Sequence, residues 1–87
     1  YRYLQMLTLN DCGIISLTNF PILPALIRLD MVFNSIPGED LQYLVHSRHL
    51  QTIMFGANQI KNINDLTALK GMRKLLQLDL LNNPVVK

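Results

Sequence analysis

The 87-residue sequence contains a single cysteine, no tryptophan and no long uninterrupted apolar run. Because Cys12 is alone, no disulfide can form within the chain, which fits a protein of a reducing compartment. A membrane-spanning helix needs about 20 consecutive, mostly apolar residues, and polar residues or prolines interrupt every candidate stretch. Nothing near Tyr1 resembles a signal peptide. We therefore expect neither a membrane span nor a membrane partner.

The sequence also has no large excess of acidic or basic residues. The chain has six acidic and eight basic residues, and its formal net charge is +2. The basic residues are spread along the sequence: Arg2, Arg28, Arg48, Lys61, Lys70, Arg73, Lys74 and Lys87. This distribution lacks the basic tract that grips nucleic acid or anionic lipid, so we expect no direct nucleic-acid binding. The 49% hydrophobic content requires a buried core and excludes a disordered chain.

What the sequence does contain is a repeat. Segments that begin at Leu4, Leu26, Leu50 and Leu75 follow the pattern L-x-x-L-x-L-x-x-N/C-x-L with conservative replacements. Their spacings of 22, 24 and 25 residues match those of leucine-rich repeats. Residues 1–87 are therefore predicted to be a single leucine-rich-repeat domain of the α/β class. It would be a right-handed solenoid with a parallel sheet on its concave side and short helices or 3₁₀ turns on its convex side. Since the pattern still runs at both ends of the sequence, we expect the domain to be truncated there.

The short L-x-L stretch of each repeat predicts a strand whose alternate side chains point into the core. The predicted core pairs are Leu7/Leu9, Leu29/Met31, Ile53/Phe55 and Leu78/Leu80. After each strand the chain has to turn, and an asparagine amide there can satisfy backbone groups that would otherwise lack partners. This position holds Asn34, Asn58 and Asn83. The first repeat has Cys12 instead, which we expect to be a buried structural thiol.

The segments that return the chain to the next repeat are more variable. The stretch 37–40 predicts a turn that leads into a helix over about 40–46. Asn64 or Asp65 is expected to cap a second short helix. Its apolar residues recur at a spacing of three: Leu66, Leu69 and Met72. In the first repeat, two prolines leave room only for short 3₁₀ or extended structure.

Several segments are typical of a known family: LNDCGI (9–14), NFPILP (19–24), LIRLD (26–30), and the stretch from NQIKNINDL (58–66) through LDL (78–80). From about Leu4 to Val86 the chain resembles the leucine-rich-repeat domain of the acidic leucine-rich nuclear phosphoprotein family. The resemblance implies a protein of the nucleus or the cytoplasm whose repeats bind other proteins. It also implies a link to phosphatase inhibition, histone binding or chromatin-associated regulation.

The sequence departs from this family in one respect and also resembles others. It contains no long Asp/Glu-rich tail, so histone binding through such a tail is not implied. The ending LNNPV (81–85) is similar to the last repeats of phosphatase-1 regulatory repeat proteins and of the spliceosomal A-prime protein. Two functions therefore stay open. One is a protein-interaction module of a regulatory protein, and the other is an adaptor subunit in RNA processing.

We expect the partner protein to bind the concave face, where side chains of neighbouring strands form columns. The predicted contact residues are Arg28, Asp30, Val32, Phe33, Met54, Asp79 and Leu81. Four of them are apolar at positions where solvent or a partner is expected, and the three charged ones would orient the partner. Two alternatives stay open: the Phe33 ring packs into the core, or the charged side chains are merely solvated.

Residues that carry chemistry do not form the arrangement of an enzyme. His46 and His49 have no further His or Cys nearby, so we interpret them as surface histidines and not as metal ligands. The adjacent Glu39 and Asp40 are more typical of a helix start than of a general acid/base pair. The stretch 71–74 lacks the spacing of a phosphate loop, and we interpret its basic residues as a solvated edge. We therefore expect no catalysis, no cofactor, no metal and no small-molecule substrate.

Overall fold

The computed structural model describes residues 3–86. Each repeat contributes one short strand to a four-stranded parallel sheet with the order β1-β2-β3-β4. The strands are β1 (Met6–Thr8), β2 (Arg28–Asp30), β3 (Thr52–Met54) and β4 (Gln77–Asp79). Equivalent residues of neighbouring repeats pair directly, as Leu29 does with Ile53. The predicted strands and the alignment of the repeats are thus confirmed.

Two 3₁₀ helices occupy the return segments of the second and third repeats, Gly38–Leu44 and Ile63–Gly71, and they pack against each other. In the first helix, Leu41 and Leu44 are completely buried and are three residues apart. A 3₁₀ helix has about 3.0 residues per turn, so apolar side chains at this spacing line up on one side. The spacing is therefore compatible with the observed helix type.

The helix boundaries differ from those predicted. The first helix begins at Gly38 and ends at Leu44, about two residues earlier than expected. The second helix is capped by Asn62, whose Oδ1 accepts a hydrogen bond from the backbone N–H of Asn64 at 2.9 Å. The prediction that Asn64 or Asp65 is the cap was wrong, because the helix already begins at Ile63 and a cap has to precede the first turn.

The core lies between the sheet and the 3₁₀ helices. Leu29 and Ile53 of the two central strands are completely buried, and they belong to one cluster with Leu41. Full burial of such a side chain contributes about 1.5–3 kcal/mol. The equivalent residues of the outer strands, Leu7 and Leu78, are only partly buried. Within residues 3–86 each outer strand has a neighbouring repeat on one side alone, which explains the difference.

Three buried side chains, Asn34, Asn58 and Asn83, form an asparagine ladder just after the strands. Each donates to the backbone carbonyl three residues before it and to the equivalent carbonyl of the preceding repeat. For Asn58 these are the carbonyl oxygens of Phe55 at 3.1 Å and Met31 at 2.9 Å. Its Oδ1 accepts from the N–H of Ile36 at 3.1 Å, also in the preceding repeat. The predicted role of the asparagines is confirmed, and the ladder ties each repeat to the one before it.

Cys12, at the ladder position of the first repeat, is exposed. Its Sγ donates to the carbonyl oxygen of Asn10 at 3.3 Å, a contact within the same turn. The expectation of a buried thiol was wrong. Among the described residues no repeat precedes the first one, so nothing covers this side chain.

A buried carboxylate connects the first return segment to the first 3₁₀ helix. Asp40 is 8% exposed, and its Oδ2 accepts from the backbone N–H of Leu17 at 2.9 Å. Since an unsatisfied buried N–H costs about 1–3 kcal/mol, this bond fixes a segment that has no regular structure of its own.

Candidate protein-binding surface

The open face of the sheet is the face that points away from the core, and it carries the predicted columns. Asp30 pairs with Met54 and Met54 pairs with Asp79, so these three residues form one row across β2, β3 and β4. All three side chains are partly exposed. The structure therefore brings an apolar side chain between two carboxylates on this face.

Arg28 and Asp30 form an ion pair along β2. The Arg28 Nε atom lies 3.0 Å from Oδ1 of Asp30, and Nη2 donates to Oδ2 at 3.3 Å. Oδ1 is shielded from solvent and accepts no hydrogen bond from the described residues, so the ion pair with Arg28 is its main compensation. These two charged residues are therefore held together at the face and are not separately solvated.

The turn that follows the strands has a notch at Gly56. A Cβ atom at this position would lie 3.3 Å from Oδ2 of Asp79, 3.3 Å from the carbonyl oxygen of Leu81 and 3.6 Å from Cγ1 of Val32. Val32 is partly buried, whereas Leu81 is 64% exposed. The Leu81 N–H donates to Oδ1 of Asp79 at 3.1 Å, which links the turn to the row on the strands. Gly56 is not among the contact residues predicted from the sequence, although alignment of the repeats marks it as the turn position without a side chain.

Phe33 is the most unusual residue of this surface. Its ring is 63% exposed, so the alternative in which it packs into the core is wrong. Its φ is +60°, in the left-handed region, which costs an L residue roughly 1–2 kcal/mol. The equivalent residues Asp11, Ala57 and Asn82 also have positive φ, and the Phe33 N–H donates to the carbonyl oxygen of Gly56 at 3.0 Å. The turn therefore imposes this conformation, and Phe33 adopts it without the compensation of burial.

A second surface, not predicted, lies at the edge where the strands begin. A cleft of about 530 Å³ is lined by Val45, His46, Arg48, Met72, Arg73 and Lys74, together with Gly71. The sequence reasoning had interpreted these histidines and basic residues separately, as ordinary surface groups. The missed signal was their position in the repeat: Arg48 and Arg73 both stand two residues before the first leucine, and His49 and Lys74 both stand one residue before it.

Residues 3–86 contain no group of three or more His, Cys, Asp or Glu side chains that could hold a metal ion. No helix in that range is long and apolar enough to cross a membrane.

Comparison with known proteins gives several similar sequences, although no family model matches. The chain is 70% identical over 86 residues to a histone of Tetrahymena thermophila, with 99% of this chain and 22% of that protein aligned. It is 37% identical over 83 residues to acidic leucine-rich nuclear phosphoprotein 32 family member A of Drosophila melanogaster, covering 95% of this chain and 31% of that protein. It is also 36% identical over 81 residues to U2 small nuclear ribonucleoprotein A' of Emericella nidulans, covering 93% and 35% respectively.

The chain thus spans between 22% and 35% of the length of these relatives. The aligned region includes nearly all of the repeats described above. The resemblance predicted from the sequence is confirmed: over most of its length this chain is similar to acidic leucine-rich nuclear phosphoproteins and to U2 small nuclear ribonucleoprotein A', which is consistent with a leucine-rich-repeat domain.

Proposed function

We propose that this chain is a protein-interaction module of a regulatory nuclear protein linked to chromatin or to a phosphatase. Its four repeats would stack as a right-handed solenoid, with the open face of the sheet as the concave binding surface. The observation that carries the proposal is Phe33, an exposed aromatic ring on a left-handed backbone. The turn of each repeat imposes the backbone conformation, but the exposure of a large aromatic side chain is specific to Phe33 among these turn positions, and exposed apolar side chains of this size are typical of protein-binding positions.

The neighbouring side chains support a protein partner. Val32, Met54 and Leu81 are the other apolar residues predicted to contact the partner, and the flexible side chain of Met54 can adapt to it. Aromatic and methionine side chains surrounded by polar groups are typical of interface centres. The paired Arg28 and Asp30, together with Asp79, would supply the polar groups that orient the partner.

The link to the nucleus rests on the relatives. By name they include a histone and nuclear phosphoproteins. Since the chain spans 22% of the histone, the role of a whole protein of that kind is an inference for this chain. A regulatory module that brings a partner protein to chromatin agrees both with these names and with the exposed apolar surface.

A second function has its own support. The similarity to U2 small nuclear ribonucleoprotein A' favours an adaptor subunit in RNA processing, which would meet RNA through a protein partner. The two functions predict different partners on the same surface, and the identity of the captured proteins distinguishes them.

The test is affinity capture from nuclear extract with the full chain and with the variants Met54→Glu and Leu81→Glu. A carboxylate at either position would have to be desolvated on binding, so we expect the specific partners to be lost. Ile63→Glu is the matched control, because Ile63 is 68% exposed but lies at the start of the second 3₁₀ helix. Circular dichroism checks that each variant is folded.

Capture that is unchanged in folded Met54→Glu and Leu81→Glu would exclude the open face as the binding surface. Chromatin or phosphatase proteins among the lost partners would support the first function, and spliceosomal proteins would support the second.

A further inference from the structure

We propose that the cleft at the edge of the sheet where the strands begin binds an extended acidic peptide segment of a partner protein. This basic cleft is defined by Val45, His46, Arg48, Met72, Arg73 and Lys74. It is separate from the open face, and neither the sequence reasoning nor the similarity to other proteins assigns it a role.

The cations of the basic cleft come from two successive repeats. Arg48 follows the first 3₁₀ helix, whereas Arg73 and Lys74 follow the second. The Lys74 ammonium donates to Nδ1 of His49 at 3.1 Å, which connects the two return segments. Stacking of the repeats therefore concentrates charges that are about 25 residues apart in the sequence.

These charges have no acidic neighbours in the cleft. Among the described residues, no Asp or Glu lines this cleft or the adjoining one of about 450 Å³, which shares Lys74 and also contains His49. The acidic side chains lie elsewhere: Asp30 and Asp79 are on the open face, and Glu39 and Asp65 line a different cleft beside the 3₁₀ helices. A concentration of one charge sign without compensation attracts ligands of the opposite sign.

The shape and lining of the cleft favour a peptide over a nucleic acid. The half-buried Val45 and the small exposed part of Met72 line the cleft together with the cations, which suits a ligand with apolar side chains among its carboxylates. Arginine pairs well with carboxylates because its planar guanidinium donates two parallel hydrogen bonds. Single-stranded nucleic acid binds mainly through a series of aromatic side chains on which successive bases stack, and the cleft offers only the imidazole of His46 and, in the adjoining cleft, the rings of Tyr3 and His49 within the described residues. Strong binding to duplex DNA commonly uses about 6–10 phosphate contacts, more than the three fixed cations here provide.

The adjoining cleft extends the same path toward the first repeat. It brings Tyr3 and Ile27 to the far side of Lys74. An extended peptide advances about 3.3 Å per residue, and neighbouring strands are about 4.8 Å apart, so a short peptide can span several repeats along this edge. We therefore expect the bound peptide to place its carboxylates near Lys74 and Arg73 and to have apolar residues on either side of them.

The experiment measures fluorescence anisotropy of a labelled peptide with repeated Glu-Asp-Leu-Glu units as the full chain is added. Arg48→Glu and Arg73→Glu are each expected to weaken binding about tenfold, because an attraction becomes a repulsion. Lys61→Glu makes the same charge change outside the basic cleft and should leave the affinity within about twofold. Raising the salt concentration should weaken the wild-type complex, since exposed charges are screened.

Two further probes separate the alternatives. The same peptide with Gln and Asn in place of Glu and Asp should not bind, and a short DNA duplex should bind more weakly than the acidic peptide. Lys74→Gln provides a milder variant in case a charge reversal disturbs folding. The proposal is overturned if the acidic peptide does not bind, if folded Arg48→Glu and Arg73→Glu bind it as tightly as Lys61→Glu does, or if the DNA duplex binds more tightly. None of these results depends on the open face, so the proposed function is tested separately.

Discussion

Asn58 shows how much a single side chain contributes at the residue scale. It is 3% exposed and contacts four backbone groups, three of them carbonyl oxygens and one the N–H of Ile36. Two of these groups belong to the preceding repeat. The side chain therefore closes its own turn and joins two repeats at once, which explains why an amide is required here and an apolar residue of similar size would not serve.

Asn58→Ala should lower the free energy of unfolding by roughly 3 kcal/mol, because it leaves several buried backbone groups without partners. Asn10→Ala is the control: the Asn10 Oδ1 accepts a single hydrogen bond, from the Val32 N–H at 2.7 Å, in an exposed setting. We expect that variant to lose about 1 kcal/mol or less. Urea unfolding followed by circular dichroism measures both, and equal losses would contradict the role of the ladder.

Residue types at fixed repeat positions could be interpreted from the sequence, whereas exposure often could not. The asparagines were predicted correctly because their chemistry matches the needs of a turn. The burial of Cys12 was predicted wrongly because burial depends on a neighbouring repeat and not on the residue itself. The orientation of Phe33 stayed open for a similar reason, since its positive φ is imposed by the turn and is not encoded in the ring.

At the scale of the elements, the strands are alike in sequence but differ in surroundings. Leu29 and Leu78 are equivalent residues of β2 and β4. Leu29 is completely buried between two neighbouring strands, and Leu78 is only partly buried. Their contributions to stability should therefore differ although their side chains are identical.

Leu29→Ala should cost about 2–5 kcal/mol, because the surrounding core cannot collapse into the cavity that remains. Leu78→Ala should cost clearly less, since part of its surface already contacts solvent. Thermal or urea unfolding of both variants checks the difference. A larger loss for Leu78→Ala would mean that the outer repeat is more tightly packed than its exposure indicates.

The helices illustrate which features of an element can be predicted. The recurrence of apolar residues along two return segments correctly indicated short helices there. The start of the second helix could not be predicted in the same way, because several polar residues near 62–65 can all serve as caps. Asn62 is the cap because the preceding turn ends there, and the sequence of the helix does not determine where that turn ends.

Across the whole molecule, packing decreases from the centre to both ends. β2 and β3 each have a strand on both sides, and β1 and β4 each have one. In stacked repeats stability is close to a sum over neighbouring interfaces, so the outer repeats of the described part should open more readily.

Native-state hydrogen exchange measured by NMR should show this gradient. Backbone amides bonded between β2 and β3, such as the Met31 N–H with the Met54 carbonyl oxygen at 2.8 Å, should exchange most slowly. Amides at the other end of the gradient, such as the Leu9 N–H bonded to Asp30, should exchange about tenfold faster for every 1.4 kcal/mol of lower local stability. Uniform exchange across the four strands would instead indicate a single cooperative unit.

The basic cleft is a property of the whole molecule that the linear sequence conceals. Composition alone indicated basic residues scattered along the sequence. Only the stacking of repeats brings Arg48 beside Arg73 and Lys74 in one cleft. A charge count taken along the chain could not detect this, whereas a charge count taken by repeat position could.

The direct register of the strands also determines where the chain can change its length. From the first leucine of a repeat to its ladder residue the distance is eight positions every time, as from Leu26 to Asn34 and from Leu50 to Asn58. The 22-, 24- and 25-residue spacings differ only in the return segments. We therefore expect insertions and deletions to be tolerated in the return segments and not between the first leucine and the ladder residue. New loops could then be added to the return segments without disturbing the open face.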